Sequence, residues 1–506
     1  MPNSRAHILS SLFAILYFTA STSAETRILP TRDTTIGRLV LQIARESVTV
    51  SPDQEHLAFV SKWGDPSLAD KGISPDKPVN EDHPPSEIRP SDKIKPELVV
   101  YRDDKNGPHF QFITAPVFSP DSQHLAYAGQ KADETWHVLL DGKEIMTAEG
   151  LTTIPFAFSP DSQHHAIAYN QGIKWRVKFD DTDGPAFEGI GAAPILFSPD
   201  SKHIAYVGRL EKMWRPVVDG KAGASYDRLS AFGWLPDSSG IAFTAALKDK
   251  RWQVFAPGFT SKEYEFVLKG PPIFSPDSKR IAFGTMALKV WQVISTDGES
   301  PKLDQVSPDS IAFIRKPDGG SRLIYFGLQG KTWRLFEEHN PTDIVFENII
   351  VDTFRISPDG LHYAVAGYRG GKAVLLRDGQ SLGEFEIVGG GTLAFSPDSK
   401  HLACAASRDQ NWYIVVDGNP VTPAGLIKGV AAQPIAFSPD GQRIAYQALD
   451  NSNNWHLYLG PDQTWLSGIY RNFFGQARVN WRSDGRVVTI AIQKALAVRV
   501  ESDAPK

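Results

Sequence analysis

Apolar positions along this chain come in short runs rich in aromatic and β-branched residues, separated by tight polar turns. The stretch from Phe118 to Gly142 shows the unit clearly. A short run ending at Phe118 meets a Ser-Pro-Asp-Ser corner, HLAYAG follows, then a polar loop, then WHVLLDG, then the weaker EIMTAE. Pro120 presets the backbone angle that the second position of a type I turn requires, and Asp121 and Ser122 can bond nearby N–H groups. The pattern therefore predicts a hairpin corner between strands buried on both faces. No stretch of the unit carries helical periodicity, and the expected class is all-β.

The unit recurs. Corner aspartates stand at Asp53, Asp121, Asp161, Asp200, Asp237, Asp277, Asp318, Asp359, Asp398, Asp440 and Asp484, spaced by 37 to 44 residues from Asp121 onward. Two further Ser-Pro-Asp triplets are decoys. The one at Ser74 has no IAY-type strand after it, and the one at Ser307 breaks the even spacing that KPDGG at Asp318 restores. Trp136, Trp175, Trp214, Trp252, Trp291, Trp333, Trp412 and Trp455 each fall 14 or 15 residues after their corner; Ala373 takes that place after Asp359. A period of about 40 residues with four short strands is that of a β-propeller blade. About eleven four-stranded repeats are expected. Because this exceeds the usual 4 to 8 blades of one propeller, the expected arrangement is two fused rings, with one large ring as the alternative that uniform spacing and end-to-end closure favour.

The repeats resemble the TolB-type, WD40-like propeller repeat, marked by an aromatic-Ser-Pro-Asp-Gly/Ser corner and an Ile-Ala-Tyr/Phe strand. The match spans residues 47–502. TolB has an α/β domain ahead of its propeller, and this chain has only the segment 25–46 there, so the resemblance implies a fold and not a TolB role.

Where the repeat is interrupted, other expectations arise. Residues 1–24 read as a secretory signal peptide: Arg5 and His7, an apolar run from Ile8 to Phe18, and small residues before cleavage after Ala24. A periplasmic or extracellular location follows, with no integral membrane span. The strand-like GRLVLQIA, Gly37 to Ala44, has no corner, while the last repeat lacks a fourth strand; the first is expected to complete the second and close the ring, bringing Val40 onto the last repeat. Between strands two and three of the first repeat lies a Pro-, Asp- and Lys-rich insertion, residues 62–96, read as a loop. It would project from the face opposite the corners, where variable loops on a rigid scaffold carry binding residues. Its candidate ligand-binding residues are Asp65, Asp70, Glu81, Asp82, His83 and Glu87.

Charge and candidate chemistry narrow the function. The chain has 53 basic and 58 acidic residues, a mild acidity that argues against nucleic acid as partner. Its one cysteine, Cys404, lies in a strand and reads as an inert buried thiol. His56, His124, His164, His203, His362 and His401 fall three residues after their corners, a place that Arg280 and Arg443 take in other repeats, so metal ligation there is not expected. The corner aspartates read as turn caps and the tryptophans as core. No GxSxG, P-loop, HExxH or CxxC occurs. The expectation is a non-catalytic binding propeller for a protein, peptide or glycan, without cofactor, metal or catalytic residues. The alternative is a propeller lyase or hydrolase with a metal at the channel mouth.

Overall fold

The structure is a computed structural model that describes residues 27–28, 31–38, 49–53, 55–62, 98–103, 105–191, 194–247, 250–422, 425–460, 465–466, 469–470, 472–473, 478–493 and 496–502. Among these residues the chain forms eleven sheets, ten of four strand positions and the tenth in order of five, and the sole helical element is the 3-10 turn Pro308–Ser310. The protein is all-β, with the sheet layout of a β-propeller.

The second sheet is the template. Its strand b, Leu125–Gln130, lies between strand c, Trp136–Leu140, and strand a; strand d, Lys143–Ala148, is outermost. Strand b is buried from Leu125 to Gly129, which is why its apolar run does not alternate. Strand a is split into Phe112–Ile113 and Val117–Phe118, both paired with strand b. A side chain covers the gap: the Thr114 hydroxyl accepts the Ala128 N–H at 2.9 Å. Thr353 and Thr392 do the same for Ala366 and Ala405. In the seventh sheet Ser310 takes this place, accepting the Phe326 N–H at 2.8 Å. The triplet at Ser307 thus belongs to the split in strand a, and the corner lies at Asp318 between Ala312–Arg315 and Ser321–Gln329.

Neighbouring sheets pack by seating a large side chain from the end of one sheet on a small residue in strand b of the next. Phe110 sits on Gly129, Phe187 on Gly208, Leu303 on Gly327 and Phe346 on Gly367. A Cβ at Gly208 would lie 2.6 Å from the Phe187 ring, so glycine here makes the room into which the aromatic fits. The tryptophans that open strand c are half-buried, not central. Seven of them, Trp136, Trp214, Trp252, Trp291, Trp333, Trp412 and Trp455, border the inter-sheet clusters and seal their loop end.

Each sheet packs on the next in sequence from the first to the eleventh. The eleventh also touches the first: the Asn480 side-chain amide donates to the Asp53 carbonyl at 3.1 Å, and Arg482 forms an ion pair with Glu55. The N-terminal segment enters here. Thr31–Arg38 pairs antiparallel with Leu496–Ser502 as the outer strand of the eleventh sheet, and Arg27–Ile28 adds in parallel to Trp465–Leu466 of the tenth. The strand that pairs is therefore upstream of the apolar Gly37 to Ala44 stretch, sharing with it only Gly37 and Arg38; Val40 lies outside the described residues.

Candidate functional site

The corner face carries a repeated set of polar ties. In the second sheet the Ser119 hydroxyl donates to Asp121 Oδ1 at 2.5 Å and accepts the His124 N–H at 2.9 Å. The Asp121 backbone N–H donates across to Ser162 Oγ of the third sheet at 3.0 Å. His124 Nδ1 meets Asp141 Oδ2 of its own c–d turn at 2.7 Å, and its ring stacks on Phe158 of the next sheet. Asp141 Oδ1 accepts the Leu125 N–H. The same imidazole–carboxylate contact joins His56 to Asp103, His164 to Asp180, His203 to Asp219, His362 to Asp378 and His401 to Asp417, at 2.6–2.9 Å. Each histidine thus ties strand b to its own c–d turn. The Ser119 hydroxyl and the Gln123 N–H hold the Asp121 carboxyl below the usual carboxylate range, and hydroxyls do the same at Asp161, Asp200, Asp277, Asp398 and Asp440.

The opposite face has its own rule. A carboxylate entering strand a caps the b–c turn of its sheet: Glu149 accepts the Gly172 N–H, Glu188 those of Glu211 and Lys212, Glu265 that of Leu288, Glu347 that of Gly370 and Glu386 that of Gln410. The insertion leaves the first sheet at this end, since Lys62 pairs with Leu98 where strand b turns into strand c. Asp65, Asp70, Glu81, Asp82, His83 and Glu87 all lie outside the described residues. Among the described residues no group of three or more His, Cys, Asp or Glu is placed to hold a metal ion, and no helix is long and apolar enough to cross a membrane. Cys404 is fully buried, which pushes its thiol pKa up to about 12.

The seventh sheet departs from the rule on the corner face. Lys316 replaces the corner serine, Gly319 the serine after the aspartate, and Glu338-His339 the Asp-Gly turn. Glu338 is one methylene longer than the usual aspartate and captures Arg280 of the sixth sheet, which also pairs with Asp297 and donates to the Ser321 carbonyl at 3.0 Å. Behind this cluster, His339 Nε2 lies 2.9 Å from Ser295 Oγ and its Nδ1 lies 3.2 Å from the Tyr325 hydroxyl. Ser295 is buried and no carboxylate meets the far ring nitrogen, so the pair is a tie between sheets and not a nucleophile with its base. A cleft of about 470 Å³ opens beside it, lined by residues of three successive corners including Asp277, Arg315, Lys316, Gly319 and Asp359. The repeat register alone does not distinguish these residues. The signal was present as KPDGG, the one Pro-Asp corner that has Lys before the proline and Gly after the aspartate.

Burial lowers the pKa of His339, and likewise that of His165, below the ordinary imidazole value. Such groups favour the neutral form in the fold, whereas the unfolded chain takes up their protons near pH 6.5. Stability from them is fully present above about pH 6.5 and is lost as pH falls through the folded values. Thermal melts between about pH 7.5 and 5 are expected to show a falling midpoint, with a shallower fall in His339→Gln. Equal slopes in the two proteins would refute this origin.

No family model matches the sequence, and no curated protein matches it. Solved structures of similar shape include one described as the eukaryotic initiation factor, at 13% identity over 74% of this chain and 94% of that chain, with a TM-score of 0.37. Another is the β-propeller domain of the Trilobed protease from Pyrococcus furiosus, at 10% identity over 53% of this chain and 94% of that one, with a TM-score of 0.26. A third is KlHsv2 with loop 6CD replaced by a Gly-Ser linker, at 11% identity over 54% and 91%, also at 0.26. The chain's own sheets and their order give the fold class, a β-propeller.

Proposed function

We propose that this chain is a non-catalytic binding propeller of the TolB-like repeat type, acting in the periplasm or outside the cell on a protein, peptide or glycan. One large ring of eleven blades is its architecture, not two fused rings. The contact of Asn480 and Arg482 with the first corner supports this, because two separate rings would each close on themselves.

The observation that carries the non-catalytic reading is the tie network. The residues that recur most conspicuously, Ser, Asp and His, are bonded to each other within and between sheets. Recognition then falls to what the repeat does not use, above all the insertion rooted at Lys62 and Leu98. Replacing residues 64–95 by a short Gly-Ser linker is expected to leave the melting temperature unchanged and abolish capture of the native ligand in pull-downs from envelope or medium. Undiminished capture would refute the assignment. For the alternative, a metal-assisted lyase or hydrolase, stoichiometric tightly held metal in the purified protein is the deciding observation.

A further inference from the structure

On the corner face, the corner of the seventh sheet is the one whose glycine is left uncovered. Four corners have glycine after the aspartate, at Gly319, Gly360, Gly441 and Gly485. At three of them the preceding sheet covers the glycine. A Cβ at Gly360 would lie 3.1 Å from Arg315, at Gly441 3.1 Å from the Asp398 carboxylate, and at Gly485 3.5 Å from the Arg443 guanidinium. At Gly319 a Cβ would meet nothing within 4 Å. In the sixth sheet Arg280 holds the repeat position of Arg443; it pairs with Glu338 and Asp297 and lies over the Phe313 ring, as Arg443 lies over Trp481.

The cleft has the volume of a small-molecule site. Its walls alternate in polarity. Asp277 and Asp359 offer carboxylates, each with Oδ1 already engaged by its own serine. Arg315 and Lys316 offer donors and form no ion pair with a described carboxylate. Pro317 and Leu361 add apolar surface between them. Two acids against two bases suit neither a simple anion nor a simple cation. Vicinal hydroxyls fit both, because each can donate to a carboxylate while accepting from a guanidinium or ammonium.

We propose that the cleft over Gly319 binds a sugar ring of a neutral glycan, its hydroxyls bridging Asp277 and Asp359 to Arg315 and Lys316. This site is on the face opposite the insertion and stands apart from ligand capture there. Calorimetric titration of the full mature chain with maltotriose, cellotriose and fully N-acetylated chitotriose tests it, with the dipeptide Lys-Asp as the probe for a zwitterionic peptide site. At least one trisaccharide is expected to bind, and Lys316→Ala and Arg315→Ala are each expected to weaken it by about tenfold. Replacement of residues 64–95 should leave that affinity unchanged. Arg315 also packs over Gly360, so Lys316→Ala decides the matter if Arg315→Ala loses stability. Absence of binding by all three trisaccharides, equal affinity in wild type and Lys316→Ala, or tighter binding of the dipeptide than of any sugar would each overturn the proposal.

Discussion

Gly208→Val is expected to destabilise the protein by about 1–3 kcal/mol although valine suits a strand better than glycine. Gly208 lies in strand b of the fourth sheet, paired with Arg215 of strand c, and its φ is ordinary for a strand. Backbone strain is therefore no obstacle to the substitution. The obstacle is the Phe187 ring, itself 1% exposed, against which a Cβ would lie at 2.6 Å. Valine must push the ring out or part the third and fourth sheets. Removing the ring instead, by Phe187→Ala, is expected to cost about 3–5 kcal/mol through lost burial and the cavity left behind. The two changes share one space, so the double variant should be less destabilised than the sum, by roughly 0.5–3 kcal/mol. Urea unfolding of the four proteins measures this. Additive costs would show that the ring and the glycine are not partners.

The repeat period and its phase were legible because turn chemistry is local. A Ser-Pro-Asp corner declares itself within four residues, and the Trp333 phase was enough to choose Asp318 over the triplet at Ser307. What that triplet does was not legible. Ser310 substitutes for Thr114 in covering the gap in strand a, and pieces of two residues are too short to show a pattern. The histidines declare themselves in sequence as a repeat position, but their partners do not. Their carboxylate partners lie 16 or 17 residues on, across the c–d turn, except for Asp103, which the insertion displaces to 47 residues after His56. The constancy of that offset was available in the sequence; its meaning required knowing that the turn returns to the corner.

The uncovered corner at Gly319 was hidden for a different reason. Glycine after the aspartate occurs at four corners, and sequence treats them alike. They differ in what the preceding sheet sends toward them: Arg315 lies against Gly360, the Asp398 carboxylate against Gly441 and Arg443 against Gly485, whereas a Cβ at Gly319 would meet nothing within 4 Å. The closing strand was placed too far along because hydrophobicity pointed to Gly37 to Ala44, whereas the paired segment Thr31–Arg38 is mostly polar. An outermost strand at the rim needs little apolar content, since its backbone pairing sets its place.

Deleting residues 25–38 is expected to have the other large effect. Seven residue pairs join Thr31–Arg38 to Leu496–Ser502, with one irregularity between Thr35 and Gly37. At about 0.5–1.5 kcal/mol net per backbone hydrogen bond, their loss amounts to several kcal/mol in the eleventh sheet. That sheet is also the one whose Asn480 and Arg482 reach the first corner, so weakening it loosens the contact between the two ends of the repeat array. A second consequence follows from geometry. The deletion leaves Leu496–Ser502 as a bare edge of seven residues whose free N–H and C=O groups template pairing with another copy. The truncated protein should therefore melt earlier, form concentration-dependent oligomers in light scattering, and be cut first by protease within residues 478–502. A synthetic peptide spanning Thr31 to Arg38, added in excess, should slow oligomer formation by reoccupying the edge, while a scrambled peptide should not. A truncated chain that stays monomeric with an unchanged melting temperature would mean that the eleventh sheet keeps its contact with the first without its outer strand.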